Sequence, residues 1–180
     1  MTPIRAVFFD RDGTLIYDYG YLSDPARVRP YKCAREALLL LQKAGYHFFM
    51  VSNQSGIGRG YFPPTAAHAV NRRVCELLRP AHFEAIAFCP HAPEENCTCR
   101  KPLPKLGLEL IKKYHIDVAH SFMIGDKKSD IDFGHNIGCP SILVQTANGK
   151  KHQQKYRDMH PVYIARDLLR AAKFILREGK

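Results

Sequence analysis

Short β-favouring apolar runs alternate along this chain with longer stretches of helix-forming residues, and most of the runs break into polar or glycine-rich segments. Ala6-Val7-Phe8-Phe9 predicts a first buried strand that emerges at Asp10. Residues 32–44, dense in Ala, Leu, Glu, Gln and Lys and followed by Gly45, predict the first long helix and its C-terminal cap. His47-Phe48-Phe49-Met50-Val51 predicts a second strand, opening into Ser52-Asn53-Gln54-Ser55-Gly56-Ile57-Gly58-Arg59-Gly60. Pro63-Pro64 starts a helix that runs to about Arg79, and Ala85-Ile86-Ala87-Phe88 reads as a third strand. A helix from near Pro104 to near His115 precedes a fourth strand, Ser121-Phe122-Met123-Ile124, which ends at Gly125-Asp126. A short helix at about 129–137 leads to a fifth strand, Ser141-Ile142-Leu143-Val144. Val162-Tyr163-Ile164 predicts a sixth strand and residues 167–177 a terminal amphipathic helix, with 147–160 read as a polar, basic connection.

Strands separated by crossover-length helices predict an α/β architecture, a doubly wound, Rossmann-like parallel sheet with helices on both faces. Ligands of such sheets collect beyond the carboxyl ends of the strands, where the polar segments after strands one to four fall. No insertion large enough for a cap domain interrupts the pattern, so the site is expected to be lidded only by loops.

Length adds that 180 residues make one domain of ordinary size, expected to span 1–180. The apolar fraction of 46% and the charged fraction of 24% exclude wholesale disorder and a coiled-coil rod. No segment approaches the roughly 18 apolar residues of a membrane span, and Met1-Thr2-Pro3-Ile4-Arg5 has no secretory pattern, so the expected location is cytoplasmic, with no membrane partner. The net charge is +10, and residues 149–180 hold nine basic and three acidic side chains. Phosphorylated metabolites and nucleic acid both answer to that charge, which by itself decides nothing.

Candidate chemistry begins at Asp10-Arg11-Asp12-Gly13-Thr14. If the chain is still extended there, Asp10 and Asp12 project to one side, and Gly13 permits a sharp turn with close approach of a small ligand. Such a carboxylate pair suits a hard cation such as Mg²⁺; a solvated Asp-Gly turn is the competing account. A second constellation is Cys89-Pro90-His91 with Cys97-Thr98-Cys99 in a loop at about 89–101. Three thiolates and an imidazole complete a closed, structural Zn²⁺ site. A Cys89 to Cys97 disulfide or three buried free thiols are the alternatives. Arg100 and Lys101 follow the last thiolate directly, so a metal clip there would lock both toward the site. Cys33, Cys75 and Cys139 are expected in the core.

The DxDGT segment at 10–14 resembles the nucleophile motif of the haloacid dehalogenase superfamily of phosphatases, and Ser52, Lys101 and Gly125-Asp126-Lys127-Lys128-Ser129-Asp130 follow in the order that superfamily uses. The resemblance implies Asp10 as nucleophile and Asp12 as general acid and base. It also implies Mg²⁺ held by Asp10, the backbone carbonyl of Asp12 and Asp126, with Ser52 and Lys101 on the phosphoryl group. The SNQSGIGRG loop, the zinc loop and the following Arg100-Lys101-Pro102 are similar to two related families of small phosphatase, acting on heptose bisphosphate and on histidinol phosphate. Asp18-Tyr19-Gly20-Tyr21-Leu22 and Gly58-Arg59-Gly60-Tyr61-Phe62 resemble the heptose branch, whereas the zinc loop is shorter than in the better-known heptose members and Pro104-Lys105-Leu106 resembles the histidinol branch. The heptose reading implies removal of the 7-phosphate of D-glycero-D-manno-heptose 1,7-bisphosphate, in the supply of heptose for surface glycans. Substrate contacts are then expected at Asp18, Tyr19, Gly20, Tyr21, Asn53, Gln54, Ser55, Arg100 and Lys127.

Besides the two small-molecule activities, a polynucleotide 3′-phosphatase and a non-catalytic, zinc-stabilised nucleic-acid-binding module compete. A nucleic-acid binder has no need of acidic residues at 10, 12 and 126. The expectation is therefore a monomeric enzyme acting on a small phosphorylated sugar.

Overall fold

Successive residues of each central strand enter different cores. The computed structural model describes residues 2–178. Six strands, β1 (Ala6–Phe9), β2 (His47–Asn53), β3 (Phe83–Cys89), β4 (Phe122–Gly125), β5 (Ser141–Val144) and β6 (Tyr163–Ala165), form one sheet in the order β3-β2-β1-β4-β5-β6. Every pairing is parallel. Val7, Phe9, Phe48, Met50 and Ile124 pack on one face against α1 (Ala34–Lys43), α2 (Pro64–Leu78) and α6 (Leu168–Glu178). Ala6, Phe8, Phe49, Val51 and Met123 face the other way, onto Leu110 of α3 (Lys105–Tyr114) and Phe133 of α4 (Lys128–Asn136). Burial on both faces explains why the central strands read as unbroken apolar runs rather than as alternating ones.

The doubly wound α/β fold is the architecture the sequence predicts. One prediction is corrected. Residues 147–160 are not only a connection, because Gly149–Lys155 form a short helix, α5. Its residues, Gly-Lys-Lys-His-Gln-Gln-Lys, present no apolar stripe for a periodicity to detect. The helix is seated instead by close backbone packing, a side chain on Gly149 being blocked by the Val144 carbonyl. Cys139 is buried in the core as expected, while Cys33 and Cys75 are only partly buried at its margin.

No cap domain is inserted. Between β1 and α1 the regular structure is one turn of 3₁₀ helix, Pro25–Arg27, and residues 54–63 between β2 and α2 carry no helix or strand. β1 leads through α1 to β2 on one side, whereas its other neighbour is β4. The strand order therefore reverses between β1 and β4, and the crevice beyond their carboxyl ends is where ligands of open parallel sheets bind.

Candidate active site

Asp10 stands at that crevice because its backbone N–H extends the ladder, donating to the Ile124 carbonyl at 3.0 Å. Asp126 follows β4 directly, and Asp130 lies in the first turn of α4. Carboxylate oxygens of Asp10, Asp126 and Asp130 lie within 4.8 Å of one another, and all three residues are buried. Gly13 makes this convergence possible. Its φ of +94° is in the region that favours glycine, and a Cβ there would stand 2.5 Å from Asp126 Oδ2.

Lys101 answers the negative charge. Its ammonium donates to Asp10 Oδ1 at 2.8 Å and to the Val51 carbonyl at 2.6 Å, and lies 2.8 Å from Asp130 Oδ1. An ammonium has three protons, so all are engaged. Burial opposes the Lys101 charge, but Asp10 and Asp130 outweigh it and hold the ammonium above its ordinary range. Asp130 also caps α4, its Oδ2 accepting from the Lys127 N–H at 3.0 Å.

Asp126 has no exposed surface, and burial pushes its carboxyl up to about 7, with Asp10 and Asp130 adding to the shift against the Lys127 charge. Its Oδ2 accepts from the Asn148 backbone at 3.0 Å and from the Asn148 side chain at 3.2 Å. Asp126 Oδ1 and Asp10 Oδ2 are left buried with no hydrogen-bond partner among the described residues. Clustered carboxylates with unpaired oxygens suit a hard cation, so the residues present fit a divalent ion with oxygen ligands.

The remaining sequence candidates distribute around a cavity of about 230 Å³. Asp10, Asp12, Asp18, Gly20, Tyr21, Asn53, Gln54, Ser55, Arg100, Lys101 and Lys127 all line it. Ser52 and Tyr19 do not: Ser52 is buried, its hydroxyl accepting from Gln54 Nε2 at 3.2 Å, and the Tyr19 ring turns toward Arg27. Asn53 and Gln54, among the liners, have both ends of their side-chain amides engaged with protein. Asn53 accepts from the Lys101 N–H and donates to the Lys101 carbonyl. Gln54 accepts from Arg11 and donates to Asp12 and Ser52. Lys127 pairs with Asp18 at 3.3 Å. Although burial works against its charge, Asp10, Asp126, Asp18 and Asp130 hold its ammonium well above the usual lysine range.

Asp130, Asn148 and Arg11 carry parts of this arrangement that the sequence left unassigned. Asp130 was visible in the acidic segment at 125–130, but its pairing with Lys101 joins α4 to a residue before α3. Nothing in the local sequence marks Asn148 or Arg11.

The Cys89, His91, Cys97 and Cys99 ligand atoms converge as predicted. Sulfur pairs stand 3.5 Å (Cys89 and Cys97) and 3.8 Å (Cys97 and Cys99) apart, and His91 Nδ1 lies 3.6 Å from Cys89 and 3.3 Å from Cys99. Tetrahedral Zn²⁺ with its usual bond lengths requires edges of about 3.8 Å between sulfurs and about 3.6 Å between sulfur and nitrogen. The donor set therefore fits zinc, and neither sulfur pair is at disulfide length. This loop abuts the one after β2: Gln54 N–H donates to the Cys89 carbonyl at 2.7 Å, Gly58 N–H to the Pro90 carbonyl at 2.8 Å, and Arg59 pairs with Glu94 at 2.9 Å.

A buried acidic cluster with a charge-locked lysine, set at the switch point of a capless α/β sheet, defines a haloacid dehalogenase-type phosphatase. The HAD-hydrolase-like family model matches residues 98–171. A D-glycero-beta-D-manno-heptose-1,7-bisphosphate 7-phosphatase of Helicobacter pylori is 40% identical over 154 residues, 84% of this chain and 88% of that one. The bifunctional histidine biosynthesis protein HisB of Actinobacillus pleuropneumoniae is 39% identical over 140 residues, 76% of this chain but 39% of its own length. The crystal structure of the D,D-heptose 1,7-bisphosphate phosphatase from B. bronchiseptica, complexed with magnesium and phosphate, superposes with a TM-score of 0.90 at 29% identity, covering 97% of this chain and 99% of that one. The chain belongs to the haloacid dehalogenase phosphatases, and within them to the heptose-bisphosphate 7-phosphatase family.

Proposed function

We propose that this enzyme removes the 7-phosphate of D-glycero-D-manno-heptose 1,7-bisphosphate through a phosphoryl group carried on Asp10. The observation that carries the reading is the state of Asp10. One oxygen is held by Lys101 while the other, Oδ2, has no hydrogen-bond partner among the described residues, and the carboxyl stands with those of Asp126 and Asp130 at the crevice. An Asp10 carboxylate oxygen attacks phosphorus as the bond to the sugar oxygen breaks, and Asp12 gives its proton to the departing alkoxide. Asp12, now a carboxylate, takes a proton from water as that water attacks phosphorus; the bond to Asp10 breaks and inorganic phosphate leaves. With its three protons engaged, Lys101 orients Asp10 and balances its charge, and Lys127 and Arg100 are the lining cations with donors for the phosphate oxygens.

Asp10, the Asp12 backbone carbonyl and Asp126 would hold Mg²⁺, as the magnesium complex of the B. bronchiseptica relative supports. When bound, that cation offsets the repulsion between an anionic nucleophile and an anionic phosphate. The four ligands of the 89–99 loop would hold structural Zn²⁺. The reading includes a single, cytoplasmic, monomeric domain. No helix among the described residues is long and apolar enough to cross a membrane.

Similarity to the histidine biosynthesis protein supports histidinol phosphate as the second substrate reading. The test is one panel of heptose 1,7-bisphosphate, histidinol phosphate and a 3′-phosphorylated oligonucleotide, each assayed with Mg²⁺. The reading expects the highest kcat/KM on the heptose. Higher kcat/KM on either other compound, or equal poor rates on all, contradicts it.

A further inference from the structure

Arg11 is the largest side chain among the described residues with no exposed surface, although it sits between two aspartates that line the cavity. A buried guanidinium is retained only where its donors are matched. Here Nε donates to Asp12 Oδ2 at 3.0 Å, Nη2 donates to Gln54 Oε1 at 2.8 Å, and Nη1 donates to Asn71 Oδ1 at 2.7 Å. Nη2 also lies 2.8 Å from Asp12 Oδ2. Gln54 completes the ring by donating from Nε2 to the same Asp12 oxygen at 2.9 Å.

Three nitrogen donors therefore surround one oxygen of Asp12, while the other, Oδ1, has no hydrogen-bond partner among the described residues. The asymmetry has a chemical consequence. A hydroxyl hydrogen on Oδ2 would point into N–H groups, whereas one on Oδ1 meets none of them. We propose that Arg11, buttressed by Asn71 and Gln54, is a positioning residue that confines proton exchange by Asp12 to Oδ1 and fixes the direction in which that proton is delivered. Asn71 lies on α2 and does not line the cavity, so its own contribution reaches the site through Arg11. The inference rests on the reading of Asp12 as general acid.

The test separates acid assistance from general damage by the leaving group. An alkyl phosphate needs a proton on its departing oxygen, whereas p-nitrophenyl phosphate leaves as a stable phenolate and needs little help. In kcat/KM, which reports the first phosphoryl transfer, Arg11→Met is expected to lose about tenfold or more on the alkyl ester and less than about threefold on the aryl ester, with Arg11→Lys falling between it and the wild type. Equal losses on both esters, or no loss on either, overturn the proposal. If Arg11→Met does not fold, as judged by thermal melting, Asn71→Ala decides by the same criterion with a smaller expected discrimination. Asp12→Asn is measured alongside. Discrimination by Asp12→Asn without discrimination by the Arg11 or Asn71 variants overturns the positioning role only. Absence of discrimination in Asp12→Asn itself overturns the acid reading, and the proposal with it.

Discussion

Asn53 grips the backbone of Lys101 at both ends of its peptide geometry: its Oδ1 accepts from the Lys101 N–H at 3.0 Å and its Nδ2 donates to the Lys101 carbonyl at 3.1 Å. The last residue of β2 thereby fixes the chain just after the zinc loop, and with it the ammonium that holds Asp10. Two bonds of this kind contribute about 1 kcal/mol each, and displacement of a reacting group by an ångström costs on the order of a hundredfold in rate. Asn53→Ala is expected to lower kcat by about ten- to a hundredfold with a small loss of stability, and Asn53→Asp, which keeps only the acceptor, by less. Steady-state kinetics with a thermal melt checks both.

Asn148 is the corresponding support for Asp126. By occupying Oδ2 with two donors it leaves Oδ1 for a cation. The side-chain amide is lost in Asn148→Ala while the backbone donor remains, so Mg²⁺ affinity is expected to weaken by roughly tenfold, the low end of what outer-shell partners contribute. Titration of the metal by calorimetry measures this directly. Unchanged affinity would remove Asn148 from the account.

The legibility of the sequence divided along the same line as these supports. The central strands β1, β2, β4 and β5 could be read because they are buried on both faces and break into polar segments, the edge strands β3 and β6 because they are short β-favouring runs, and Asp10, Asp12 and the four Cys and His donors of the 89–99 loop fall at spacings that local backbone geometry dictates. α5 could not, since Gly149–Lys155 is held by the close packing of Gly149 against the Val144 backbone and not by an apolar face. Nor could the partners of the catalytic groups. Arg11 reads as a surface charge until α2 brings Asn71 to it, 60 residues away in sequence, and Asn148 is a loop residue until it meets Asp126. Local pattern discloses ligands, whereas the residues that orient them are known only once the topology has closed.

The zinc loop predicts a coupling between metal content and catalysis. Its carbonyls at Cys89 and Pro90 receive the N–H groups of Gln54 and Gly58, so release of the ion should loosen the loop that carries Gln54 and the segment that carries Lys101. Protein purified without chelators is expected to contain one zinc per chain by mass spectrometry. Cys97→Ser should lower zinc content, melting temperature and kcat together. Loss of zinc with unchanged kcat would confine the ion to a stability role.

His152 gives the stability an acid dependence. Its Nδ1 accepts the Lys128 N–H at 3.0 Å, which requires that nitrogen to be unprotonated. Burial lowers the imidazole below its ordinary range, and Lys127, Lys155 and Lys151 push the same way. The unfolded chain thus takes up the proton first as pH falls, so this contribution to stability is complete above the unfolded value of about 6.5 and is lost as pH falls through the lower folded value. Chemical denaturation across pH 5 to 8 should show a decline in the wild type that is reduced in His152→Asn, which keeps an acceptor but does not titrate. Parallel curves for the two proteins would refute it.

The central claim is that Asp10 carries the phosphoryl group, and trapping that species tests it most directly. In Asp12→Asn, p-nitrophenyl phosphate can load the nucleophile without acid assistance, while water lacks its base for release. After an acid quench, the account predicts a hydroxylamine-labile phosphoryl group that peptide mass spectrometry locates on Asp10. A phosphoryl group on another side chain, or turnover with none captured on the enzyme, would contradict it.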